Sequence, residues 1–160
     1  MASLPQLLEE DIKQLDAALD DLLVKSEASA GLIIDKGGFL ITQRGDVRSF
    51  DTTSLAALAA ASYAATQCIA GIVSETSFNF VYQQGQNFSL LVQNVDDHCL
   101  LLVIFKANAS VGAVKYFATA IISLVAEQLR IARERDPSAS LDLSILNIAD
   151  PSALFRKKKS

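Results

Sequence analysis

The stretch from Asp51 to Glu75, DTTSLAALAAASYAATQCIAGIVSE, holds 23 residues between its two acids without one charged side chain, and eight of them are alanine. Asp51 is a good N-cap, because its carboxylate accepts from the free N–H groups of a first turn. No proline interrupts the run. The stretch therefore predicts one long helix. On a wheel at 100° per residue, Leu55, Leu58, Ala59, Ser62, Thr66, Ile69 and Val73 fall on one side, which reads as the core face. The opposite side holds Ala57, Ala60, Ala61, Ala64, Gln67, Cys68 and Gly71. A helix that simply faces water carries Lys and Glu there. Small uncharged side chains instead let another backbone approach closely, so a second surface is expected to cover this side.

Three readings fit such a helix. It is a central helix buried in its own domain, a membrane span, or an interface helix. It is long enough to cross a bilayer, but Thr52, Thr53, Ser54, Ser62, Thr66 and Gln67 are polar and alanine is a weak apolar residue. The interface reading is favoured.

Before the helix, Ala30 to Ile34 is a short apolar strand, residues 35–38 are turn chemistry, and Phe39 to Gln43 returns as a second strand. After it, Asn79 to Gln83 reads as a third strand, Phe88 to Asn94 as a fourth, and His98 to Phe105 as a fifth. The fifth is almost continuously apolar, as expected for a central strand covered on both faces. Further out, residues 4–26 predict a first helix with a stripe at Leu8, Ile12, Leu15, Leu19 and Leu22, leaving Glu9, Glu10, Asp11 and Lys13 outside it. Ser3 is a candidate cap, and Pro5 suits a first turn. Residues 111–135 predict a last helix whose inner face is Val114, Phe117, Ala118, Ile121, Leu124, Val125 and Leu129.

These elements give an α/β (α+β) class: a five-stranded antiparallel sheet with helices on its faces, in the order α-β-β-α-β-β-β-α. Residues 1–135 form the domain, and 136–160 form a linker and C-terminal tail ending in Arg156-Lys-Lys-Lys-Ser160. The third strand, directly after the long helix, is expected at a sheet edge, which invites pairing with a second copy. At 160 residues, with 51% hydrophobic and 20% charged side chains, the chain buries a core without staples. A net charge of −4 and the lack of a basic stripe argue against nucleic acid. The first residues, MASLPQLLEEDIKQ, lack a basic region followed by an apolar core, so no signal peptide is expected and the compartment reads as cytoplasmic. Cys68 and Cys99 read as reduced, buried thiols.

The chain offers few groups for chemistry. His98 is the one histidine, so a Ser-His-Asp or Cys-His site would need it, and no nucleophile motif accompanies it. No CxxC pair and no P-loop occur. Gly37-Gly38 is better read as a turn than as a phosphate cradle, and the acid pairs Glu9-Glu10, Asp20-Asp21 and Asp96-Asp97 read as solvated. Arg44 and Arg48 read as surface arginines. The residues thus describe a binding module, with no catalytic residue, metal or cofactor expected.

Two motifs in this order of elements, Ile34-Asp-Lys-Gly-Gly-Phe-Leu-Ile and Asp51-Thr-Thr-Ser-Leu-Ala-Ala-Leu, are similar to those of the roadblock / dynein light chain family. The chain resembles above all its bacterial members of the MglB type, over about Leu8 to Arg133. The resemblance implies a homodimer joined through the third strands, here Asn79, Phe80, Val81, Tyr82 and Gln83. It also implies a two-helix platform for a small Ras-like GTPase of MglA type, here Ala57, Ala60, Ala61, Ala64, Gln67, Cys68 and Gly71. Such regulators stimulate GTP hydrolysis or shift the nucleotide cycle by placing the GTPase's own residues, donating none themselves. The alternative is an adaptor that links a motor, motility or polarity complex without altering hydrolysis. The basic end of this tail departs from the more acidic end expected of the type.

Overall fold

A computed structural model describes residues 6–135 of the chain. The elements are α1 (Glu9–Ser26), β1 (Ala30–Asp35), β2 (Leu40–Gly45), α2 (Thr52–Ile72), β3 (Phe80–Gln84), β4 (Phe88–Asn94), β5 (Cys99–Lys106) and α3 (Val111–Glu134). They follow the expected order, with ends shifted by a few residues at most, α1 excepted. That helix starts at Glu9, and the proposed cap at Ser3 and first turn at Pro5 lie outside the described residues.

The five strands form one sheet in the order β2-β1-β5-β4-β3, every neighbouring pair antiparallel. β5 is central, and Cys99 to Phe105 are all buried. Alternation along a strand sends successive side chains to opposite faces. Cys99, Leu101, Val103 and Phe105 join the core under α1 and α3, whereas Leu100, Leu102 and Ile104 join the core under α2. Two helices thus share one face of the sheet, and α2 lies alone on the other.

Local chemistry sets the helix ends. Asp51 Oδ1 accepts from the Ser54 N–H at 3.1 Å, as the cap reading required. Ser110 Oγ caps α3 by accepting from the Ala113 N–H at 3.2 Å. At α1 the device is reversed: Asp11, three residues into the turn, accepts from the Leu8 N–H at 2.7 Å. Asp11 is fully buried rather than solvated, because Arg135 at the end of α3 donates to both its oxygens, at 2.7 and 2.9 Å, and Gln128 donates at 2.7 Å. The Asp96 carboxylate is also drawn from solvent, by Arg133 at 2.6 Å. These two clamps fix the end of α3 to α1 and to the β4–β5 turn.

The inner stripes need two corrections. Leu8 of the α1 stripe is 38% exposed, and Leu124 of the α3 stripe is 52% exposed. The rest of each stripe is buried or packed against the core. The β1–β2 turn is pressed onto α2. Gly38 has φ +99°, and a Cβ there would stand 3.1 Å from the Ala57 Cα, so glycine's freedom in this region is used.

Candidate functional site

The α2 helix does not bury the face that its large side chains suggest. It buries Ala56, Ala59, Ala60, Tyr63 and Ala70. That face is about 100° from the Leu55–Leu58–Ile69 side, one residue step on the wheel. The surface beneath explains the rotation. Leu32, Ile34, Leu100, Leu102 and Ile104 already fill this side of the sheet with bulky groups. Alanines let the helix settle close to them, and larger side chains would hold it off. The helix is then tied at its far end: Gln67 Nε2 donates to the Phe78 carbonyl at 3.1 Å, and the Tyr63 hydroxyl donates to the same oxygen at 3.4 Å.

Ala57, Ala61, Ala64, Cys68 and Gly71 are exposed. Ala60, expected beside them, is buried at 4% exposure, and Gln67 is half-buried by its bond to Phe78. Cys68, expected as a buried thiol, is exposed as well. Cys99 is buried as expected, and burial raises its thiol to about 11. Of the expected core face Ala59 alone is buried and Leu55, Ser62 and Thr66 are half-buried, whereas Leu58 is 68%, Ile69 52% and Val73 57% exposed. By length and composition alone α2 is also apolar enough to cross a membrane, yet here it lies packed along a sheet. No charged side chain lies anywhere in Thr52–Ile72.

The Leu58 flank looks toward the β3 edge of the sheet. Leu55, Leu58, Ala59 and Ser62 face Gln83 of β3 and Leu90 and Val92 of β4 across a cavity of about 210 Å³. β3 and β2 are the two edge strands, and the hydrogen-bond phase of β3 follows from its two ends. Asn94 N–H donates to Asn79 O, and Gly85 N–H donates to Phe88 O. Bonded pairs alternate along an antiparallel ladder, so Val81 and Gln83 also bond inward to β4 in this register. The backbone groups of Phe80, Tyr82 and Gln84 therefore face outward along the edge. Tyr82 is braced by stacking on Phe105, with ring centroids 6.1 Å apart.

The polar residues singled out in the sequence sit in a turn, an ion pair or solvent. The His98 N–H donates to Asp96 Oδ1 at 2.8 Å, in the turn that Arg133 clamps. Arg44 pairs with Asp20 at 2.8 Å, while Arg48 is 91% exposed. Among the described residues no group of three or more His, Cys, Asp or Glu is placed to hold a metal ion.

Sequence reasoning missed the exposed Leu58 and Ile69. In α2 alone they look like core, and only the crowded sheet surface below excludes them. It also missed Asp11 and Arg135, which stand 124 residues apart.

Comparison with known proteins places this architecture. Residues 15–105 match the family model for the Roadblock/LC7 domain. Myxococcus xanthus MglB is 28% identical, with 81% of this chain and 97% of that chain covered and a TM-score of 0.74. The gliding protein MglB from Thermus thermophilus is 27% identical, covering 84% of this chain and 100% of that one, with a TM-score of 0.73. An MglB with a tetrameric arrangement is 25% identical over 82% of this chain and 99% of that one, with a TM-score of 0.77. No curated protein sequence matches.

Proposed function

The chain belongs to the Roadblock/LC7 family, and on that footing we propose that it is a homodimeric, cytoplasmic regulator of a small Ras-like GTPase of MglA type. The observation that carries the reading is an uncharged, exposed α2 face lying beside an unpaired β3 edge. Coverage of nearly the whole length of three MglB structures supports it.

Pairing two β3 edges antiparallel through Phe80, Tyr82 and Gln84 extends one sheet across two protomers. Each α2 then lies on the same side of that sheet, and the Leu58–Ile69 flank meets its counterpart. This covers the exposed large side chains and the groove beside Gln83. Ala57, Ala61, Ala64, Cys68 and Gly71 remain outward as the platform. Ala60 and Gln67 drop out of it, since both are used inside the protomer.

A flat, charge-free surface acts by holding rather than by reacting. Phosphoryl transfer in GTPases is mainly positioning and electrostatic stabilisation. A rigid platform that binds the active arrangement of a switch segment more tightly than the inactive one shifts the population toward it. No protonating group or arginine has to enter the nucleotide site from this side.

The test is light scattering of the purified protein with an MglA-type GTPase loaded with a GTP analogue or with GDP, followed by single-turnover hydrolysis. A dimer that gains mass only with the GTP form and speeds hydrolysis supports the regulator. Binding without acceleration favours an adaptor that links a motility or polarity complex, and a monomer overturns the dimeric platform.

A further inference from the structure

α3 has a second apolar face that the sheet does not use. Val114, Ala118, Ile121, Val125 and Leu129 point into the core. On the opposite side Tyr116 is 71%, Leu124 52% and Ile131 42% exposed, with exposed Ala120 between. Spacings of four, four and seven align these residues in one stripe, broken between Leu124 and Ile131 by Glu127, whose charge Arg130 pairs at 2.6 Å. At its N-terminal half the stripe opens into a shallow groove of about 580 Å³ lined by Gly112, Lys115, Tyr116, Thr119 and Ala120.

We propose that residues 141–155 of the same chain dock along this stripe. That segment, LDLSILNIADPSALF, carries large apolar side chains from Leu141 and Leu143 through Ile145, Leu146 and Ile148 to Phe155, and only Asp142 and Asp150 are charged. Such a composition favours burial over a solvated tail. The point of departure is fixed, because Arg135 grips Asp11 and Arg133 grips Asp96. From Arg135 back to Tyr116 is about 29 Å along the helix. With residues 136–140 reversing the chain, residues 141–155 span about 22 Å if helical and roughly 50 Å if fully extended. A helical segment therefore reaches Ala120 at the near end of the groove, and an extended one passes Tyr116. A tether this short also gives an effective concentration on the order of millimolar, which favours the chain's own segment over one from another molecule.

The chain contains no tryptophan, so Phe155→Trp in the full-length protein is a single reporter. Docking gives blue-shifted emission and iodide quenching several-fold slower than for free tryptophan amide, both unchanged on dilution. Adding Leu124→Arg returns both to the free values while the far-ultraviolet circular dichroism stays the same. Ala120→Arg serves if the Leu124 variant loses its fold. Water-like emission in the otherwise unaltered chain overturns the proposal, as does burial that ignores both arginines. Burial that fades on dilution assigns the stripe to a second copy, and burial seen only with a GTP-loaded partner assigns the segment to that partner. Either result refutes docking within the chain.

Discussion

Replacing Asp11 by Asn tests the clamp that closes α1 onto α3. The Arg135 guanidinium is the chief cause that holds the Asp11 carboxyl down, from 3.8 to about 2. Burial opposes it, and the Leu8 N–H and Gln128 assist. A gap of this size corresponds to about 2.4 kcal/mol at 1.36 kcal/mol per unit. Arg135 keeps 26% of its side chain in solvent, so screening trims the effect, and Asn keeps an acceptor for the Leu8 N–H while its amide N–H pairs with the Gln128 carbonyl if that amide turns over. The expected loss is about 1–2 kcal/mol, or roughly 2–8 °C in Tm for a chain of this size. The pH dependence follows from the direction of the shift. Between the folded and unfolded values the unfolded state binds more protons, so acidification removes the contribution. It is complete above about pH 5, falls progressively as the pH drops, and is gone only near pH 1, below both values. Urea midpoints of both proteins, at one protomer concentration because a dimer's stability depends on it, are compared from pH 7 to pH 2.5. The difference between them narrows below pH 5. Equal midpoints at pH 7, or a gap that stays constant through the acid range, would refute the reasoning.

Arginine at two neighbouring alanines separates the faces of α2. Ala60→Arg overpacks a buried site at a cost of about 1–3 kcal/mol before any charge is buried and lowers Tm sharply. Ala64→Arg stays within about 0.5 kcal/mol of wild type but abolishes GTPase capture in a pull-down. Tyr82→Pro removes one outward N–H from β3 without touching the ladder to β4. It should turn dimer into monomer by light scattering while circular dichroism is retained. Gly38→Ala meets both a positive φ and the Ala57 backbone, so chemical denaturation should register a loss of about 1–3 kcal/mol.

The sequence by itself determined the elements and their order. Asp51 and Ser110 mark helix starts through local acceptor chemistry. Two-residue alternation and the apolar run at 99–105 identify a central strand. The turn residues at 35–38 leave antiparallel pairing as the short connection. The small-residue motif opening at Asp51 carried the family. All of these are local signals, readable within a few residues.

Tertiary structure alone decided which face of α2 is inside. Its wheel has little polar contrast, since alanine lies all around it and no side chain is charged, so size was the only guide, and size pointed to Leu58 and Ile69. The sheet below was already filled by Leu32, Ile34, Leu100 and Leu102, and close approach favoured alanine there. The same holds for Asp11, which belongs outside the α1 stripe by spacing and is buried because Arg135 arrives from the far end of the chain. Periodicity reports how a segment divides its surface, whereas the neighbours a segment meets determine which division is covered.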